Sequence, residues 1–148
     1  MEAFDPVSAV LNIKGGQVWS VQPDATVFEA LRLMADKDVG SLLVLDGKRL
    51  TGVFSERDYA RKIILLGRSS KDTKVGEIMT SSPTTISSGC AVSEAMRLMT
   101  EQRVRHLPVL GVDGALAGVV SIGDLVKWII TSQEAMIEQL HSYIAGQA

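Results

Sequence analysis

Residues 27–45 (VFEALRLMADKDVGSLLVL) and 92–110 (VSEAMRLMTEQRVRHLPVL) superimpose without a gap, with ten identities in nineteen positions. Ordinary composition would give about one chance match over such a window. The register then slips by one residue, so that 52–58 (GVFSERD) falls on 118–124 (GVVSIGD). The slip lies between Leu45 and Gly52, where a turn absorbs an extra residue. The chain is therefore a duplication with a period of about 65 residues. Solenoid repeats run roughly 20–50 residues and need three or more copies to close a core. Two longer copies predict two subdomains that pack against each other.

Each copy has the same pattern. A short β-branched strand comes first, Val18–Val21 and Thr84–Ile86. A helix follows, with Val27, Leu31 and Met34 at i, i+4, i+7, matched by Val92, Met96 and Met99. Thr26 with Glu29 is read as a capping box for the first of these helices, whereas the second copy has Ala91 at the cap. Two apolar strands come next, Ser41–Leu45 with Leu50–Phe54 and His106–Leu110 with Leu116–Val120. Asp46-Gly47 and Asp113-Gly114 mark the hairpin turns. A last helix starts near Ser55 or Ser121; Gly67 ends the former, and the latter has no comparable stop.

Outside the copies, residues 5–13 suggest a short amphipathic helix, and residues 67–82 read as a polar connector around Val75, Ile78 and Met79. The tail keeps Met136, Leu140 and Ile144 at helical spacing, which suits either a self-association face or docking on the chain's own core. The expected division is 1–16 as lead-in, 17–67 as first domain, 68–82 as connector, 83–131 as second domain and 132–148 as C-terminal helix.

Composition narrows the function. The net charge of −2 supplies no positive field for nucleic acid. Cys90 is the single cysteine, so neither an intrachain disulfide nor a cysteine metal cluster is expected, and a reducing, cytoplasmic location fits. The opening MEAFDPVSAV lacks the pattern of a secretory signal, and no apolar run approaches the ~20 residues needed to span a bilayer. A membrane role is therefore not expected.

Three constellations carry chemistry. Ser55-x-x-Asp58 and Ser121-x-x-Asp124 each stand where a strand passes into a helix. Free N–H groups and a hydroxyl there favour a phosphate, and an aspartate one turn in can accept both hydroxyls of a ribose. The same pattern is equally a capping box that needs no ligand. The second constellation is Arg103-Val104-Arg105-His106-Leu107-Pro108-Val109, in which Arg105 and His106 suit phosphate oxygens or form a solvated strand start. The other copy has Gly40 and Ser41 there, so two non-equivalent pockets are expected. The third is Arg57, Arg61, Lys62 and Arg68, a solvated face from which Arg57 is placed to supplement a polyphosphate site. No catalytic or metal site is expected: the G-x-S-x-G, P-loop, G-x-G-x-x-G and H-E-x-x-H patterns are all missing, and His106 and His141 are the only histidines.

The twofold V-x-E-A-[LM]-R-L-M helix, the V-x-x-L-[LP]-V-L strand and the terminal G-V-x-S-x-x-D together resemble a pair of CBS domains, over roughly residues 10–130. The resemblance implies an α+β fold of β-α-β-β-α repeats, with three-stranded sheets packed face to face about a pseudo-twofold axis. It also implies two clefts for an adenosine ligand such as AMP, ADP, ATP, NAD or S-adenosylmethionine. One cleft would combine Trp19, Val39, Gly40 and Ser41 with Val119, Ser121 and Asp124. The other would combine Thr84, Val104, Arg105, His106 and Pro108 with Val53, Ser55, Arg57 and Asp58. Aspartate would hold ribose, serine phosphate, and the apolar residues the purine. The Arg105–His106 pair would favour phosphates in the second cleft, while Trp19 would either stack on a base or fill the first. The family also implies a homodimer.

The expected function is thus a regulatory sensor in which an adenine nucleotide is the ligand and a separate protein, or the other subunit, reads the response. The rival is a structural oligomerisation module with empty clefts. A nucleotide hydrolase is the third reading, and no catalysis is expected.

Overall fold

The apolar spacing around Val27 and Val92 forms helices at both places. α2 (Val27–Lys37) buries Val27, Ala30 and Met34, and α5 (Val92–Gln102) buries Val92, Ala95 and Met99, in a computed structural model that describes residues 3–15 and 17–147. Thr26 caps α2 with the expected reciprocal pair, its hydroxyl accepting from Glu29 N–H at 3.1 Å, while Ala91 offers α5 no side-chain cap. The chain falls into two units, a central one over Gln17–Pro83 and a terminal one that joins Thr84 onward to the N-terminal helix α1 (Val7–Lys14).

The central unit has β1 (Ser20–Val21), α2, β2 (Ser41–Asp46), β3 (Arg49–Ser55), α3 (Glu56–Tyr59), α4 (Val75–Ile78) and β4 (Thr80–Ser81). Its sheet order is β1-β2-β3-β4, parallel between β1 and β2 and antiparallel elsewhere. Beyond α3 the helix widens over Ala60–Ile64, with Leu65 N–H donating to Ala60 O. It ends at Gly67, whose φ of +66° lets Gly67 N–H reach Ile64 O and Arg68 N–H reach Ile63 O. Phe54, Leu42, Val44, Ile63, Val75 and Ile78 complete the core beneath α2.

The terminal unit has β5 (Ile86–Ser87), α5, β6 (His106–Leu110), β7 (Leu116–Ser121) and α6 (Ile122–Gln147), with sheet order β5-β6-β7. Its core gathers Val7, Val10 and Leu11 from α1 with Leu107, Val109, Val120, Leu125 and Trp128. Both hairpins turn at a left-handed glycine, Gly47 and Gly114, as the Asp-Gly pairs require.

Four expectations change. The leading strands are shorter, Ser20–Val21 and Ile86–Ser87, and only the terminal sheet has three strands. Residues 68–82 are no mere connector, because Val75 and Ile78 enter the central core and β4 extends the sheet. The tail of α6 does not dock on the chain's own core, since Met136, Ile137, Leu140, Tyr143 and Ile144 are each more than half exposed.

α1 and α4 also occupy equivalent places, which the repeat alignment does not reveal. Val7 N–H donates to Cys90 O and Val92 N–H to Asp5 O, while Val75 N–H donates to Ala25 O and Val27 N–H to Thr73 O. Leu11 then presses on Gly118 as Met79 presses on Gly52. A Cβ on Gly52 would lie 2.6 Å from Met79 Sδ and 2.7 Å from Thr80 O, and one on Gly118 2.9 Å from a Leu11 methyl. The repeated glycine is thus set by close packing rather than by a turn.

Candidate functional site

Antiparallel pairing sets the start of one hairpin strand beside the end of the other. In the central unit Ser41 pairs with Ser55, and Glu56 N–H donates to Gly40 O at 3.1 Å. In the terminal unit His106 pairs with Ser121, and Ile122 N–H donates to Arg105 O at 2.8 Å. Each unit therefore brings its own strand start, Val39-Gly40-Ser41 or Val104-Arg105-His106, to its own Ser-x-x-Asp turn. Val53 stands opposite Leu43 and Val119 opposite Pro108, both valines half-buried. Trp19 carries Lys37 Nζ 4.5 Å above its ring, and its carbonyl accepts from Leu43 N–H. Thr84 is half-buried ahead of β5, and Arg57 and Arg105 are exposed.

Both Ser-x-x-Asp turns are formed capping boxes. Ser55 N–H and Oγ–H each donate to Asp58 Oδ2 at 3.0 Å, and Asp58 N–H returns a bond to Ser55 Oγ. Ser121 N–H donates to Asp124 Oδ2 at 2.8 Å, and Asp124 N–H donates to Ser121 Oγ. The two carboxylates differ beyond that shared frame. Thr80 Oγ1 and Lys62 Nζ each approach Asp58 Oδ1 at 3.1 Å, leaving its side chain only 8% exposed. Lys62 also donates to Ile78 O, and Arg68 pairs with Glu77, so neither belongs to a purely solvated face. Asp124 is 25% exposed and takes Lys14 Nζ at 2.6 Å on Oδ2; the same ammonium donates to Val119 O at 2.9 Å.

Electrostatics follow the contacts. Partial burial pushes the Asp124 carboxyl up, but the bonds from Lys14 and Ser121 outweigh it and hold its pKa below the ordinary value. Desolvation lowers the pKa of His106, Lys14 adds to the effect, Asp124 opposes it, and Arg105 adds again. The terminal unit thus sets Lys14 on the Asp124 carboxylate with His106 within reach of both charges. Among the described residues no group of histidine, cysteine, aspartate or glutamate is arranged to hold a metal ion, and no helix is long and apolar enough to cross a membrane.

Lys14 and Thr80 are the polar partners that sequence reasoning missed, and Lys62, read there as part of a solvated face, is the third. A lysine in the last turn of a helix ordinarily marks a favourable dipole contact and solvent, and Thr80 lies in what read as connector.

A strand–helix–hairpin–helix unit built twice, each sheet ending at a capped carboxylate, defines a tandem pair of small α+β domains. The CBS-domain family model matches residues 12–65 and 75–131, and the chain belongs to that family. The CBS domain-containing protein CBSX3, mitochondrial, of Arabidopsis thaliana is 42% identical over 137 residues, 89% of this chain and 66% of that one. Among solved structures, a protein with CBS domains from Burkholderia ambifaria MC40-6 is 46% identical with a TM-score of 0.80, covering 86% of this chain and 96% of its own. CBSX2 of Arabidopsis thaliana in complex with AMP is 30% identical with a TM-score of 0.67, covering 79% and 90%.

Proposed function

We propose that this CBS-domain pair is a regulatory module whose ligand is an adenine nucleotide of the AMP, ADP, ATP or NAD type. The observation that carries the reading is the repeated Ser-x-x-Asp turn at the end of a strand that also carries a half-buried valine. It supplies carboxylate for a ribose, hydroxyl and N–H for phosphate, and a valine (Val53 or Val119) for a purine face. The AMP complex of the 30%-identical CBSX2 supports the ligand class. In this reading Asp58 and Asp124 accept ribose hydroxyls and Ser55 and Ser121 meet phosphate. Arg57, Arg105 and His106 add charge, and Trp19, Val39, Gly40, Ser41, Thr84, Val104 and Pro108 line the base. No residue is given a catalytic role. A bound ligand acts on a partner only through its differential affinity for two arrangements of the protein.

Calorimetric titration with AMP, ADP, ATP, NAD and S-adenosylmethionine tests this on protein freed of carried-over nucleotide. Saturable heat with at least one is expected, and none with any would overturn the reading.

The exposed stripe on α6 favours a second role in assembly, with two copies pairing through Met136, Ile137, Leu140 and Ile144. Sedimentation of the wild type against Leu140→Glu tests it, a dimer becoming a monomer. The proposed location is the cytoplasm; fractionation that finds the protein in an organelle, as the name of the CBSX3 relative would suggest, overturns that assignment.

A further inference from the structure

Asp124 can accept a sugar diol only where its oxygens are free to receive hydrogen bonds, and one of them is held by Lys14 Nζ at 2.6 Å. The ammonium has three donors. Two of them go to Asp124 Oδ2 and Val119 O, both on residues assigned to the nucleotide. Nothing covalent fixes this arrangement. Lys14 is the last residue of α1, its side chain is about one-third exposed, and its stem is flexible.

A cleft of about 340 Å³ opens beside it, with Val10, Ile13 and Trp128 as apolar walls and Lys14, Lys127 and Asp124 as its charged groups. Lys127 makes no ion pair among the described residues, so once Lys14 leaves the carboxylate an anion in this cleft meets two ammonium groups. His106 lies close enough to feel both Lys14 and Asp124.

From this geometry, and resting on the nucleotide reading above, we infer that Lys14 is a specificity-determining residue that distinguishes nucleotides from nucleosides. Without ligand it neutralises Asp124. When the ribose diol takes over the carboxylate, Lys14 moves to the ligand's phosphate, which receives the displaced charge. A nucleoside offers no such receiver, so it must strip the ion pair uncompensated. In the central unit Lys62, on the same helix as Asp58, also reaches its aspartate and a backbone carbonyl. Asp58 is bonded by Thr80 and by the Ser55 hydroxyl as well, however, and its side chain is only 8% exposed, so that carboxylate is not open to the same exchange.

The test is calorimetry with adenosine, AMP and ADP on the full chain, following the site whose binding disappears in Asp124→Asn. Lys14→Met keeps the stem and removes the charge. Adenosine is expected to bind about three- to tenfold more tightly and AMP about tenfold more weakly, the scale of one charge-assisted contact. Lys14→Arg keeps the preference for AMP. A structural role for Lys14 would move both ligands in one direction, and that result overturns the inference while leaving nucleotide binding intact. Wild-type protein that binds none of the three overturns the nucleotide reading and this inference together.

Discussion

Asp58 and Asp124 stand at the same point of the same Gly-Val-x-Ser-x-x-Asp turn, yet one is buried among four donors and the other is partly exposed with fewer. The difference originates in the helix that packs against each copy. After α4 the chain turns extended at Met79 and Thr80 joins the sheet, which puts a hydroxyl on the buried Asp58. The equivalent helix α1 instead continues to Lys14 and stops at Gly15, so an ammonium from outside the aspartate's own helix arrives where the central unit has the Thr80 hydroxyl. The cap is common to both copies, and its neighbours decide how closely the aspartate is enclosed.

The sharpest way to break this comparison is to remove each carboxylate. Asp58→Ala takes the shared acceptor from Thr80 and the Ser55 donors, which are half-buried or exposed, and from the partly exposed Lys62, and is expected to cost about 2–3 kcal/mol. Asp124→Ala loses a cap and an exposed ion pair, about 1 kcal/mol. Urea denaturation reads both, and equal losses would dissolve the distinction.

The two glycines give a comparable contrast. Gly52→Ala drives a methyl into a backbone carbonyl and is expected to cost about 2–3 kcal/mol, whereas at Gly118 the Leu11 side chain yields and the cost is about 1 kcal/mol. Thermal melts that rank them the other way would show that the helices are not equivalently seated. Caps sharpen the picture further. Thr26→Ala should lose about 1 kcal/mol and Ala91→Ser gain a similar amount, because only α2 has a side-chain cap.

The smallest effect is on pH. His106 binds its proton more weakly when folded, so its contribution is whole above the ordinary histidine pKa of about 6.5 and is lost as pH falls toward the folded value. Asp124, also lowered, follows the same sign further down, its contribution fading only as pH drops through the folded carboxyl pKa. The urea midpoint should decline modestly between pH 7 and 5, and His106→Gln should flatten that stretch. The central unit has no histidine to match it.

Much of this was legible in the sequence because local physics and the repeat agree. The spacing of Val27, Leu31 and Met34 gives α2, Asp-Gly pairs give both hairpins, and Gly67 gives the end of the helix after Ser55. What escaped is long-range. Val7, Val10 and Leu11 match Val75, Ile78 and Met79, but at an offset of 68 residues rather than 65 or 66, and over too few identities to register as repeat. Lys14 and Thr80 are unreadable for the same reason: each meets its aspartate only through that unrecognised equivalence. The four-stranded central sheet was missed because a two-residue strand carries no period.

The placement of α1 also has a consequence for biosynthesis. Everything in the central unit is contiguous, so it can fold as soon as it leaves the ribosome. α1 emerges before the central unit but must wait for β7, with a sequence separation of 105 between Lys14 and its partner Val119. Until then Val7, Val10 and Leu11 stay uncovered, and a segment made before the central unit finds its place only after it.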